Sequence, residues 1–183
     1  MGDAFELFGV DPAFDLDLTV LERRHRELSR ALHPDRYAGR PPAERRAALS
    51  KAMEVNDAWR TLRDSVRRAE ALLGRLGIPL GQRREPPTDP ELLMEVMELR
   101  ERLAEAHATR DQAALHELAA GVHQRQARAE ARMAGDFASA LLGATPGAAP
   151  PQALAQKLLS ELGELRYYRK LLDDVGVIQD QLF

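Results

Sequence analysis

The residues best placed to do chemistry in this chain are a histidine and an aspartate on either side of a proline, His33, Pro34 and Asp35 in "RALHPDRYAG". Such a triplet could serve as a catalytic pair, as a ligand pair or as a recognition turn. Neighbours separated by a rigid ring do not easily converge on one atom, and no nearby serine or cysteine offers a nucleophile, which disfavours catalysis. The remaining histidines, His25, His107, His116 and His123, supply no matching nucleophile or ligand spacing. The chain contains no cysteine, so disulfides, thiolate metal sites and a cysteine nucleophile are excluded. No catalytic residue, metal ligand or cofactor is assigned, and any metal chemistry is expected to belong to a partner.

A recognition turn needs elements to present it. Pro34 lacks an amide proton and biases His33 away from helical angles, so a helix must end there. Upstream, "LTVLERRHRELSRAL" places Leu18, Leu21, His25, Leu28 and Leu32 at helical spacing, which predicts an amphipathic helix with one stripe on the core. At about 100° per residue, Arg23, Arg26 and Arg30 project from nearly the opposite side, and the next position on that strip is His33. A basic face thus leads into the turn. His25, inside the leucine stripe, reads as a hydrogen-bonded, partly exposed core-edge residue. Downstream, Ala48, Ala52, Val55, Trp59, Leu62, Val66, Ala69, Leu73 and Leu76 form a second stripe, within which Asp64 or Ser65 could cap a fresh helix. The two stripes predict a helical hairpin, with Phe5, Leu7 and Phe8 of "FELFGV" as its lid.

The second half carries another presentable surface. In "PELLMEVMELRERLAEA", Thr88 or Asp89 is a plausible cap and Pro90 fits the first turn. Leu92, Val96, Leu99 and Leu103 make a core stripe, but Leu93, Met94 and Met97 lie on a different side, in the sector of Glu98, Glu101 and Glu105. That second face either packs against a third helix or docks a partner, and its acidic rim would select a basic one. Two further helical segments follow, the last with a stripe of Leu158, Leu162, Leu165, Tyr168, Leu172 and Val175, predicting a three-helix bundle. Tyr167 points away from that stripe and joins Leu93, Met94 and Met97 if the first and third helices are neighbours.

Proline and glycine cluster in "DPAFD", "GRPPAE", "GIPLGQRREPPTDP" and "GATPGAAPP", and strand alternation is absent, so the expected class is all-α. The expected organisation is a helical hairpin over 1–77, a linker over 78–90 and a helical bundle over 91–183. With 26 Lys and Arg against 29 Asp and Glu, the 183 residues carry a net charge of −3 and no global attraction to phosphate backbones. A helical nucleic-acid binder using "ERRHRELSR" and "PPAERRAALSK" is the rival from another class, although glutamates interrupt both runs. The start of the chain lacks the basic and apolar regions of a secretion signal and no run approaches a membrane span, so no membrane partner and a cytoplasmic location are expected.

The His-Pro-Asp turn, the basic helix before it and "VNDAWRTLRD" after it together resemble a J-domain. The resemblance implies that His33, Pro34, Asp35, Arg23, Arg26 and Arg30 contact a DnaK-type chaperone and stimulate its ATPase. Read in order, "LFGV", "HPDRY", "VNDAWRTLRDSVRRAEALLGRLGI", "LLMEVMELRERLAEA" and "ELRYYRKLLDDV" resemble the HscB family, the J-domain co-chaperones of iron–sulfur cluster assembly. This implies an HscA-type ATPase as one partner. It implies an IscU-type scaffold as the other, held through Leu93, Met94, Met97, Glu98, Glu101, Glu105 and Tyr167. Met97 and Tyr167 stand where the family often has leucine and phenylalanine, His25 replaces an aromatic, and "GATPGAAPP" lengthens the last connection. Without the cysteine pairs of some eukaryotic relatives, the bacterial form with no zinc and no bound cluster is implied. A J-domain adaptor for a different client is the nearest alternative.

Overall fold

The computed structural model describes residues 3–80, 90–143 and 150–182, and every regular element among them is helical. Contacts divide the chain into two compact units, Met1–Arg75 and Leu76–Phe183. Most of the expected linker, the expected caps Thr88 and Asp89 and most of "GATPGAAPP" lie outside the described residues.

The first unit contains α1 (Ala4–Phe8), α2 (Leu18–Ala31), a 3₁₀ turn (Pro34–Tyr37), α3 (Pro42–Arg63) and α4 (Ser65–Arg75). Asp3 caps α1 by accepting from the Phe5 amide at 2.8 Å, and Gly9 closes it at φ 59°, a left-handed angle that favours glycine. Asp17 caps α2, accepting from the Thr19 and Val20 amides at 2.8 and 3.2 Å. Phe5 and Phe8 are buried as the expected lid, and α1 and α2 both pack on α3. The long downstream stripe breaks at Asp64, whose extended backbone ends α3 while its Oδ1 accepts the Arg67 amide at 2.8 Å. Ala48, Val55, Leu62, Val66, Ala69 and Leu73 are buried along it. Leu18 departs from the expected core stripe. Leu18 is 48% exposed, because a residue in the first turn has packing neighbours on one side only. Arg68 is buried, donating to the Leu62 carbonyl at 2.5 Å and lying 5.0 Å over the Phe14 ring.

The second unit contains α5 (Pro90–Thr109), α6 (Gln112–Leu142) and α7 (Gln152–Leu182), each packed on the other two. Asp111 caps α6 by accepting from the Ala114 amide at 2.9 Å. Val96, Leu99 and Leu103 of α5, Leu115, Leu118, Met133 and Phe137 of α6, and Leu158, Leu162, Leu165, Tyr168 and Val175 of α7 are buried. Each such side chain contributes roughly 1.5–3 kcal/mol when fully removed from water. Leu92 and Leu172 are only half-buried, and Leu171 is buried in place of Leu172. Over a straight helix of 31 residues the 3.6-residue period drifts away from strict alternation of three and four.

Glu161 breaks the apolar pattern of α7. It is 6% exposed and faces Asp136 of α6. Burial first, then the hydrogen bond and charge of Asp136, push the Glu161 carboxyl up to about 7, against the pull of Lys157 and Arg132. Burial also works to raise Asp136, but the Lys157 ammonium, 2.7 Å from its Oδ2, and the bond to Glu161 outweigh it and hold it below the usual range. Between the ordinary value of 4.5 and about 7 the folded state binds a proton at Glu161 that the unfolded state does not. This stabilisation is full below 4.5 and is lost as pH rises through about 7. Glu161→Gln is therefore expected to melt higher than the parent at pH 8 and to show no advantage at pH 4. Thermal unfolding at the two pH values checks it, and equal melting temperatures at pH 8 would contradict it.

Candidate docking surfaces

The His-Pro-Asp triplet forms the tip between α2 and α3. His33 has extended angles, φ −61° and ψ 134°, and Pro34 opens the 3₁₀ turn. The turn folds Asp35 back, so that the Asp35 amide donates to His33 Nδ1 at 3.3 Å and the Asp35 carboxylate lies 3.4 Å from the same nitrogen. The two side chains thus come closer than a rigid proline between them suggests. They remain 59% and 89% exposed. His33, Pro34 and Leu32 also form one wall of a shallow cleft whose other wall is Ala52, Val55 and Asn56 of α3.

Arg23, Arg26 and Arg30 are exposed along α2 as expected, leading to that tip. Arg26 pairs with Glu22 at 3.0 Å, an exposed contact that contributes little to stability. Arg24, one residue out of register, does a different job: its guanidinium donates to the Phe8 and Gly9 carbonyls and ties the end of α1 to α2. Behind the basic face, His25 Nε2 meets Asn56 Oδ1 at 3.1 Å and stacks on Trp59 with ring centroids 5.0 Å apart. Trp59 stacks in turn with Phe8 at 6.5 Å. The expected core-edge place of His25 and packing role of Trp59 both hold.

On α5 the second apolar face does not pack inward. Leu93, Met94 and Met97 are 41%, 72% and 56% exposed, whereas Leu99 is 2% exposed. Glu98, Glu101 and Glu105 are exposed beside them. Tyr167 of α7 is half-buried; its hydroxyl donates to the Val96 carbonyl at 2.9 Å, and the Arg100 guanidinium lies 5.9 Å over its ring. Burial leads the upward shift of its phenol, partly offset by Arg100. Since α5 and α7 are neighbours, Tyr167 borders the face formed by Leu93 and Met97.

Against known proteins, this arrangement has clear counterparts. A protein of Vibrio cholerae serotype O1 (strain M66-2) named co-chaperone protein HscB homolog is 36% identical over 179 residues, 97% of each chain. The chain belongs to the HscB family. A second HscB homolog, from Shewanella baltica (strain OS185), is 34% identical over 179 residues, again 97% of each chain. The family model described as the HSCB C-terminal oligomerisation domain matches residues 88–176. The solved structure of the chaperone HscB from Vibrio cholerae superimposes with a TM-score of 0.80 at 33% identity, over the whole of both chains. The crystal structure of the human co-chaperone HscB gives 0.82 at 26% identity, over 98% of this chain and 83% of that one.

The fold is therefore the HscB fold, a J-like helical domain followed by a helical bundle. The relatives carry the name of a co-chaperone. Among the described residues, no helix of this HscB protein is long and apolar enough to cross a membrane.

Proposed function

We propose that this HscB protein is a non-enzymatic, cytoplasmic adaptor that binds an IscU-type iron–sulfur scaffold and delivers it to an HscA- or DnaK-type chaperone while stimulating that chaperone's ATPase. The observation that carries this reading is the presence, in one HscB chain, of an exposed His-Pro-Asp tip at the end of a basic helix and an exposed leucine–methionine strip on another helix. His33, Pro34 and Asp35 with Arg23, Arg26 and Arg30 are the chaperone contacts. The arginines steer an acidic surface towards the tip, and Asp35 accepts charge-assisted hydrogen bonds from it. Leu93, Met94, Met97 and Tyr167 hold the scaffold, with Glu98, Glu101 and Glu105 as a rim that favours basic groups. Linking the two surfaces raises the local concentration of scaffold beside the chaperone, to the millimolar order for a short linker. The iron and sulfide travel on the scaffold as cargo.

The test is the steady-state ATPase of a DnaK-type chaperone with this protein, with the scaffold, and with both. The expected pattern is stimulation by this protein alone, little by the scaffold alone, and more than the sum with both. Absence of stimulation by this protein overturns the chaperone arm, and stimulation without any scaffold synergy transfers the adaptor role to a different client.

A further inference from the structure

Helix α5 is seated with a glutamate turned in and a leucine and two methionines turned out. Glu95 is half-buried, while Leu93, Met94 and Met97 around it are exposed. At about 100° per residue, the mean direction of the large apolar side chains from Leu92 to Leu103 lies roughly 35° from that of the buried ones among them. Left to hydrophobicity, the helix would turn through that angle. Leu93 and Met97 would move towards the core and Glu95 would swing out to water.

Glu95 opposes that turn. Arg125 of α6 donates from Nε to Glu95 Oε1, while the Tyr168 hydroxyl of α7 gives its one proton to Glu164 at 3.1 Å and lies 3.5 Å from Glu95 Oε2. Arg125 is folded back along its own helix, with Nη1 3.3 Å from the Gly121 carbonyl. A Cβ at position 121 would stand 3.3 Å from that nitrogen, so a glycine in the middle of α6 makes room for the guanidinium. Glu95 thus ties the exposed-strip helix to α6.

We infer that Glu95, held by Arg125, is a positioning residue that fixes the rotation of α5 and keeps the Leu93, Met94 and Met97 strip outside for its partner. The value of that strip rests on the scaffold reading given above; the rotation itself does not. A salt bridge that merely stabilised the bundle would lower the melting temperature when broken and leave methionine accessibility alone.

The experiment uses the full chain carrying Arg125→Met, in which the unpaired Glu95 carboxylate gains by reaching water, in the same sense as the apolar turn. Mild peroxide oxidation is followed residue by residue by mass spectrometry. Met97 is expected to oxidise about threefold more slowly than in the parent, with the outward Met94 as the accessible reference and buried Met133 as the protected one. Affinity for the scaffold is expected to fall about tenfold, with scaffold-free ATPase stimulation unchanged. The charge-swapped double variant, Glu95→Arg with Arg125→Glu, is expected to restore both readouts. If Arg125→Met loses helical content, Glu95→Gln, which removes the charge that Arg125 holds, is read in its place and is expected to shift both in the same direction. Unchanged Met97 oxidation in a folded variant overturns the inference. Slowed Met97 oxidation with unchanged scaffold affinity upholds the rotation and overturns the scaffold reading instead.

Discussion

Asp35→Asn is expected to abolish stimulation of the chaperone's ATPase while leaving scaffold affinity at the parent level. The carboxylate is 89% exposed, so the fold does not depend on burying it. The hydrogen bond that shapes the turn runs from the Asp35 amide to His33 Nδ1 and survives the change of side chain. What disappears is the charge. A charge-assisted hydrogen bond contributes about 1.5–3 kcal/mol, or roughly 10- to 100-fold in the docked complex. The asparagine also offers an amide donor to a partner cation, which converts an attraction into a mismatch. The loss is expected to read in the rate of ATP hydrolysis under single-turnover conditions. Stimulation within twofold of the parent would remove Asp35 from the contact set.

The parts of this molecule that the sequence discloses are those set by local periodicity or by a backbone constraint. The stripe from Ala48 to Leu73 is legible because burial on one side of a helix enforces its spacing, and its break is legible because Asp64 is a good cap. The tip is legible because Pro34 leaves the helix no alternative. The two-faced character of α5 also shows in the spacing, although only the fold tells that the second face stays outside.

The polar residues whose roles depend on distant partners are not legible in that way. Arg24 looks like one more member of a basic run until Gly9, fifteen positions earlier, is brought to it. Glu161 and Asp136 look like surface carboxylates, yet they face each other in the bundle. Glu95 sits in a helix full of glutamates, and only Arg125, thirty residues on, distinguishes it from its neighbours. Tyr167 lies between these cases. The sequence places it off the α7 stripe, but its approach to the α5 surface is set by a bond to a carbonyl 71 residues away. Charged side chains carry no periodic signal of burial, so partners from other helices decide their roles.

The second large effect is expected at that surface. Alanine at Leu93, Met94 and Met97 together should weaken scaffold binding by about 100-fold or more while leaving the melting temperature and scaffold-free ATPase stimulation close to the parent. All three side chains are exposed in the free protein, so truncating them opens no cavity in the core. Covered by a partner, each contributes apolar burial at roughly 25 cal/mol per Å², and about 1 kcal/mol from each, summed over three, reaches that loss in affinity. The sum need not be additive, since methionines repack around their neighbours. The acidic rim of Glu98, Glu101 and Glu105 is untouched, so the fold-change of affinity between two ionic strengths should match the parent's. Titration calorimetry at two ionic strengths separates the apolar share from the electrostatic one. If affinity stayed within threefold of the parent at both, the scaffold would have to be held elsewhere, and the exposed strip would need another occupant.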